Sequence, residues 1–116
     1  MENNYTALDS VFHALADPTR RAVIQQLGEG SATVSELAEP FNMALPSFMK
    51  HIGVLEASGL ITSKKIGRVR TCKIKPTKLA DAEKWFDEQR VLWEGRTDRM
   101  AQYVENLNSK EQSNDD

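Results

Sequence analysis

The C-terminal third of this chain repeats apolar side chains at alternating spacings of three and four residues. That spacing places them on one face of an α-helix and predicts a helix over residues 77–107. At 1.5 Å per residue such a helix is roughly 45 Å long, more than a small domain needs to cover its own core. We expect a second copy of the chain to cover this face, because two-fold pairing is the commonest oligomeric arrangement. The alternative is a helix that folds back on its own domain.

The expected dimer interface combines this helix with an N-terminal helix, whose apolar residues lie at i, i+3, i+4 and i+7 from Leu8. Residues 108–116 are polar and acidic, and we expect them to form a disordered tail. Residues 1–107 are then expected to form one folded domain that includes the dimerisation helices. The predicted interface residues are Leu8, Phe12, Trp85, Leu92, Trp93, Met100 and Tyr103.

Length and composition exclude several classes of protein. A chain of 116 residues is expected to form one domain, and its single cysteine excludes a disulfide framework. No apolar run reaches the roughly 18–20 residues that cross a bilayer, and the N-terminus has no basic region of a secretory signal. The sequence holds no Gly-rich phosphate loop and no credible Ser/His/Asp spacing, which argues against an enzyme. We therefore expect a cytoplasmic protein without catalytic residues, cofactor or membrane segment.

Positive charge is concentrated in residues 45–76 of an otherwise acidic chain. This stretch holds seven basic residues and one acid, Glu56, a net charge of +6, whereas the remainder holds eight basic and sixteen acidic residues, a net charge of −8. Such a localised field selects where a polyanion binds. The simpler interpretation of the charge alone is a solvated, lysine-rich hairpin. The basic residues are Lys50, Lys64, Lys65, Arg68, Arg70, Lys73 and Lys75.

The sequence before this basic stretch contains two signals for the start of a helix. Asp17 followed by Pro18 is typical of a helix start, since aspartate is a good N-cap and proline is favoured at the first helical position. Thr33 and Glu36 have the spacing of a capping box, in which each side chain satisfies a first-turn N–H group. Thr33 and Ser35 can also offer hydroxyls to a phosphate, although for Thr33 capping alone is the favoured interpretation.

A further helix is predicted over residues 45–58, ending at Gly59, with its core side given by Phe48, Ile52 and Leu55. Residues 60–75 then change to β-branched residues with a central glycine, a pattern that predicts a β-hairpin. The resulting fold is mainly α with a small β-hairpin: a winged helix-turn-helix followed by a long C-terminal dimerisation helix.

In this arrangement the outer face of helix 45–58 and the wing, residues 60–75, contact double-stranded DNA. A helix fits the major groove, where its N-terminal polar residues reach base edges and apolar ones reach thymine methyl groups. Basic residues of the wing reach phosphates or the adjacent minor groove. The candidate DNA-binding residues are Leu45, Pro46, Ser47, Met49, Lys50, Lys64, Lys65, Arg68 and Arg70.

Four runs together resemble the ArsR-type winged-helix repressors: ADPTRR (16–21), SELA (35–38), SFMKHIGVLEASGLI (47–61) and GRVR (67–70). The motifs are individually loose, but their order and spacing are specific, and they cover nearly all of the chain before the final helix. The resemblance implies a homodimer built from the first and last helices. It also implies a transcriptional repressor that reads an inverted-repeat operator with its fourth helix and wing.

The chain departs from the metal-sensing members of that family. Residues 34–39 contain no cysteine and the last helix contains no histidine, so no metal site is expected. Residues 44–46 and Met49 are apolar where many members are polar, and Gly53 stands where a basic residue is common. The sequence therefore predicts modest direct base readout, with a larger share from DNA shape and deformability.

The sequence leaves alternatives for the roles of two side chains and for the function of the whole chain. His51 is either a phosphate donor or a residue bonded to a backbone carbonyl where two helices meet, and the second is favoured because it sits beside the core stripe. Cys72 is either a buried inert thiol or a redox switch, and the first is the default. The alternative to a DNA-binding regulator is a winged-helix module whose basic wing binds an acidic protein. The sequence does not identify a small-molecule effector.

Overall fold

The computed structural model describes the backbone of residues 4–114 and the side chains of residues 7–96 and 99–108. Across these residues the helices and the hairpin follow the predicted order, so the winged helix-turn-helix fold with its long last helix is confirmed. The elements are α1 (Asn4–Leu15), α2 (Pro18–Leu27), β1 (Ala32–Thr33), α3 (Val34–Ala38), α4 (Leu45–Ala57), β2 (Ile61–Ile66), β3 (Val69–Ile74) and α5 (Pro76–Asn114).

The starts of α2 and α3 follow from their capping residues. Asp17 accepts a hydrogen bond of 3.1 Å from the Arg20 N–H, and Pro18 begins α2. At α3 the Thr33 hydroxyl accepts from the Glu36 N–H at 3.1 Å, while the Thr33 N–H donates to the Glu36 carboxylate at 3.0 Å. Both predicted caps are confirmed, and they satisfy N–H groups that have no acceptor within the helix.

Thr33→Ala is expected to lower the free energy of unfolding by about 1 kcal/mol, because the capping hydroxyl is lost. Thr33→Ser keeps the hydroxyl and is expected to retain most of the stability.

The Thr33 backbone N–H and then its side chain hold the pKa of Glu36 below its ordinary value. Ionised Glu36 therefore stabilises the fold above the pKa of an unfolded glutamate, about 4.3, and this contribution is lost as the pH falls through the lower folded-state pKa.

Urea denaturation of the wild type and of Glu36→Gln over a range of pH tests the direction in which this contribution to stability changes with pH. The stability difference between the two proteins should be largest near neutral pH and should shrink on acidification. A difference that grows as the pH falls would contradict the assignment.

β2 and β3 form the predicted hairpin. They pair antiparallel, from the Ile61–Ile74 pair at the open end to the Ile66–Val69 pair beside the turn. Gly67 takes a φ of +63° in that turn, a left-handed conformation that glycine adopts without steric cost. The register decides which wing residues share a face, because successive side chains of a strand point to opposite sides.

A third strand, β1, is not predicted by the sequence. Its two residues pair antiparallel with β3, Ala32 with Cys72 and Thr33 with Thr71, which gives the sheet order β1-β3-β2. Ala32 and Cys72 are both buried. A two-residue strand is too short to show alternation, so the sequence carries no signal for it. The pairing attaches the start of α3 to the wing.

The contacts divide the chain into two units, Met1–Ala82 and Glu83–Asp116, and the apolar core lies in the first. The predicted core stripe of α4 is confirmed, since Phe48, Ile52 and Leu55 are buried. The Phe41 and Phe48 rings pack with centroids 5.6 Å apart. Other fully buried large side chains are Val11, Val23, Leu37, Leu60 and Ile61. This burial fixes the inner side of α4.

In the second unit α5 continues to Asn114, seven residues beyond its predicted end. No glycine or proline interrupts residues 108–114, so nothing in the sequence stops the helix there. The predicted disordered tail, residues 108–116, is thus helical as far as Asn114, and residues 115–116 lie outside the described residues. No helix in the part of the chain that the structure describes has the length and apolar character to span a bilayer.

Candidate nucleic-acid interface

The first turns of α4 present four of the predicted DNA-binding residues to solvent. Leu45, Pro46, Ser47 and Lys50 are all exposed, and Leu45 retains 57% of its surface. Ser47 and Lys50 are three residues apart and are therefore neighbours on the helix surface. Ala44 supplies no side-chain cap, so the positive end of the helix dipole faces solvent without a capping carboxylate or hydroxyl. Side chains and dipole together favour a phosphate or a base edge here.

Met49 lies elsewhere than the sequence predicts. It is half-buried and packs against the core, whereas the sequence places it on the outer face. The helical spacing explains the difference, because Met49 is three residues before buried Ile52 and so lies at the edge of the inner stripe. Its contact with DNA stays a prediction.

The predicted wing cations divide between two faces and the turn. Lys64, Lys65 and Arg68 are exposed, and Arg68 lies in the turn beside Gly67. Lys65 is directly opposite Arg70 in the register, whereas Lys64 is opposite Thr71. Since directly opposed residues share a face, Lys64 and Lys65 point to opposite sides of the sheet.

Arg70 bonds within the protein. Its Nη1 donates to the Ser63 hydroxyl at 3.1 Å and lies 3.5 Å from Glu56 Oε1. The Ser63 hydroxyl donates to the same carboxylate oxygen at 2.5 Å. Glu56, the one acid of the basic stretch, thus pairs with one of its arginines and ties the last turns of α4 to both strands of the wing. Arg70 as a phosphate ligand stays a prediction.

His51 lies where α4 meets the junction of α1 and α2. Its Nδ1 is 3.1 Å from Arg20 Nη1 and 3.7 Å from Asp17 Oδ2. The favoured location between helices is therefore correct, but the partner is the Arg20 side chain rather than the predicted backbone carbonyl. Arginine can only donate, so Nδ1 is the acceptor of this hydrogen bond.

Cys72 is fully buried between the wing and the core. Burial raises the pKa of its thiol, and Glu56 raises it further, against the opposite effect of Arg70. Because the thiolate is the reactive form, this environment favours the inert interpretation over a redox switch. Within the described residues, no three or more His, Cys, Asp or Glu side chains come together as a group able to hold a metal ion.

The exposed apolar side of α5, here called the α5 stripe, repeats every seven residues. Phe86, Trp93, Met100 and Leu107 lie at this interval and are exposed, as are Leu92, Tyr103 and Val104. Of the predicted interface residues, Trp85 is half-buried and meets Phe86 edge to face with centroids 5.3 Å apart. Leu8 and Phe12 on α1 are half-buried, and Leu8 packs against the core.

Sequence reasoning missed the polar contacts that hold α4. Arg20 and His51 are 31 residues apart, and Glu56 is seven residues from Ser63 and fourteen from Arg70. Each of these pairs joins two different elements of secondary structure, so no local pattern reports them. The only available signal was Glu56 itself, a lone acid among seven cations.

Comparison with known proteins places this geometry among transcriptional regulators. Residues 15–64 match the family model of a helix-turn-helix domain. The chain is 32% identical over 79 residues to the transcriptional repressor SdpR of Bacillus subtilis, covering 68% of this chain and 88% of SdpR. It matches the crystal structure of an ArsR family transcriptional regulator, RHA00566, with a TM-score of 0.77 and 57% identity, over 81% of this chain and 97% of that chain.

A further solved structure shares the fold. It is the homodimeric winged helix-turn-helix DNA-binding domain Mb0332 from Mycobacterium bovis, which matches with a TM-score of 0.58 and 21% identity. The match covers 78% of this chain and 81% of that domain. At this identity the likeness concerns the fold alone.

Proposed function

Since this chain belongs to the ArsR family of DNA-binding transcriptional regulators, we propose that it is a homodimeric repressor of an inverted-repeat operator in double-stranded DNA. The observation that carries the proposal is the exposure of Ser47 and Lys50 on the first turns of α4, within a stretch of net charge +6. SdpR, its relative, is a repressor. Repression follows when the bound dimer excludes polymerase from the promoter.

The α4 helix acts as the recognition helix in the major groove. Lys50 donates to guanine acceptors or a phosphate, Ser47 donates to either, and Leu45 and Pro46 contact thymine methyl groups. Lys64, Lys65 and Arg68 of the wing neutralise phosphates. Because the outer face of α4 offers few bidentate side chains, sequence-dependent DNA shape supplies the remaining specificity.

Pairing of two protomers sets the spacing of the two recognition helices. The exposed α5 stripe supports a two-fold interface, and Mb0332, which shares the fold, is homodimeric. Residues 1–107 then form the DNA-binding and dimerisation domain. The two-fold axis places the recognition helices roughly 34 Å apart, one turn of DNA, so each enters a successive major groove on the same side of the duplex.

A gel-shift titration of the purified protein against its own promoter region tests this function. We expect a discrete complex that persists in excess non-specific DNA and weakens as salt is raised. No binding at low salt would remove the proposal. A stoichiometric complex with an acidic protein that nuclease treatment leaves intact, without promoter binding, would instead support the protein-interaction module.

Replacing single wing arginines should separate direct contacts from internal ones. Arg68→Ala is expected to reduce the slope of log affinity against log salt by about one, because one phosphate contact is lost. Arg70→Ala is expected to leave that slope nearly unchanged, since Glu56 and Ser63 already engage its guanidinium. Fluorescence anisotropy at several salt concentrations measures both slopes. A larger loss of slope for Arg70→Ala than for Arg68→Ala would reverse these roles.

A further inference from the structure

We propose that Arg20 and His51 form a polar clamp that orients the recognition helix, so that both are positioning residues for DNA binding although neither contacts the DNA. The clamp comprises the Arg20 guanidinium, the His51 ring and the two α1 carbonyls that Arg20 binds. The inference rests on the proposed use of α4 as the recognition helix.

Arg20 joins two other elements to its own helix through one rigid plane. Its Nε donates to the Ala14 carbonyl at 2.7 Å and its Nη2 donates to the His13 carbonyl at 3.0 Å. Both carbonyls lie in the last turn of α1, where no N–H four residues later within the helix bonds them, and the His13 carbonyl also accepts from the Ala16 N–H at 3.2 Å. The remaining nitrogen, Nη1, donates to His51 Nδ1 on α4 at 3.1 Å. Because Nε and Nη2 are both bonded to α1, the plane of the guanidinium is fixed, and Nη1 can reach α4 in only one orientation.

Asp17 completes the surroundings of His51. Its carboxylate accepts from the Arg20 N–H at 3.1 Å and lies 3.7 Å from His51 Nδ1. Burial opposes its ionisation, but the Arg20 N–H and the charges beside it outweigh burial and lower the pKa of Asp17. The ring of His51 therefore lies beside both the Arg20 guanidinium and the Asp17 carboxylate, each of which is held by hydrogen bonds to the backbone.

The position of His51 on α4 explains why the clamp affects DNA binding. The inner side of α4 is held by Phe48, Ile52 and Leu55, and apolar contacts of this kind do not prescribe direction. A hydrogen bond does, since it weakens steeply when its angle changes. His51 follows Lys50 directly and lies four residues after Ser47, about one helical turn. A rotation of α4 that breaks the clamp therefore moves both predicted DNA contacts.

The chain offers a matched control for Arg20. Its neighbour Arg21 also donates to an α1 carbonyl, that of Leu15, at 2.8 Å, and this bond does not involve α4. Arg20→Lys and Arg21→Lys therefore remove the same kind of bond at the end of α1 and keep the same charge. Only Arg20→Lys removes the N–H group that reaches His51, because a lysine ammonium cannot hold three acceptors in one plane.

The experiment measures the affinity of the full chain for a promoter fragment by fluorescence anisotropy, well below the melting temperature of each variant. Arg20→Lys is expected to bind about tenfold more weakly, as for the loss of one hydrogen bond to a charged group. Arg21→Lys is expected to stay within about twofold of the wild type. Equal losses for both, or no loss for Arg20→Lys, would overturn the proposal.

His51 provides a second test that does not depend on the folding of an Arg20 variant. His51→Ala removes the acceptor and is expected to weaken binding about tenfold. His51→Asn places an amide oxygen near the position of Nδ1 and is expected to restore most of the affinity, because it can still accept from Arg20. Failure of asparagine to rescue binding would overturn the clamp. Failure of the wild type to bind at low salt would remove the proposed function itself.

Discussion

Met100→Glu is expected to convert the dimer into monomers and to lower the affinity for a two-half-site operator by at least about 100-fold. Met100 lies in the middle of the α5 stripe and is 71% exposed in the single chain. Covering it with a second chain would bury the introduced carboxylate against apolar side chains, which is unfavourable without a partner. Each monomer then binds one half-site alone, and the gain from linking two binding events is lost.

Val91→Glu is the matched control. Val91 is 65% exposed on the same helix, but it lies nine residues before Met100, which is two and a half turns and therefore the opposite face. We expect this variant to remain a dimer and to keep operator affinity. Sedimentation velocity separates the 13.1 kDa monomer from the dimer, and anisotropy with one-half-site and two-half-site DNA measures the linkage. A dimeric Met100→Glu protein, or equal disruption by both variants, would place the interface elsewhere.

Phe48→Ala is expected to lower the free energy of unfolding by about 3–5 kcal/mol. The Phe48 side chain has no exposed surface and packs against the Phe41 ring, so its removal leaves a cavity beneath the recognition helix. This loss is a large part of the 5–15 kcal/mol that stabilises a typical domain. Urea denaturation followed by helical circular dichroism measures it.

Leu45→Ala is the companion variant on the same helix. Leu45 is mostly exposed, so truncation should change stability by less than about 0.5 kcal/mol while weakening DNA binding through the lost apolar contact. The two substitutions should therefore separate stability from recognition. A large loss of stability in Leu45→Ala, or none in Phe48→Ala, would mean that α4 presents a different face to the core.

Local patterns predicted most of the fold correctly. The capping residues Asp17 and Thr33 start their helices as expected, and the buried side of α4 is the stripe read from its helical spacing. These features depend on residues three or four apart, which is the distance over which helix geometry acts. The hairpin was equally predictable from the sequence, since its turn needs a residue with positive φ and Gly67 supplies one.

Features that depend on contacts between distant segments were not predictable in the same way. The Arg20–His51 bond and the Glu56–Arg70 pair require the packed arrangement of α2, α4 and the wing before their partners can be identified. The charge distribution could place Arg70 among the predicted DNA contacts but could not show that Glu56 lies beside it. The edge position of Met49 likewise depends on how far the core extends around α4.

The end of α1 illustrates how the helices depend on one another. Arg20 and Arg21, in the first turn of α2, bond the carbonyls of His13, Ala14 and Leu15. Fraying of either helix breaks these bonds, so the two segments should open as a single cooperative unit rather than separately. A partner subunit that covered α1 would then also slow the opening of α2, and assembly would protect backbone amides well away from the surface it buries.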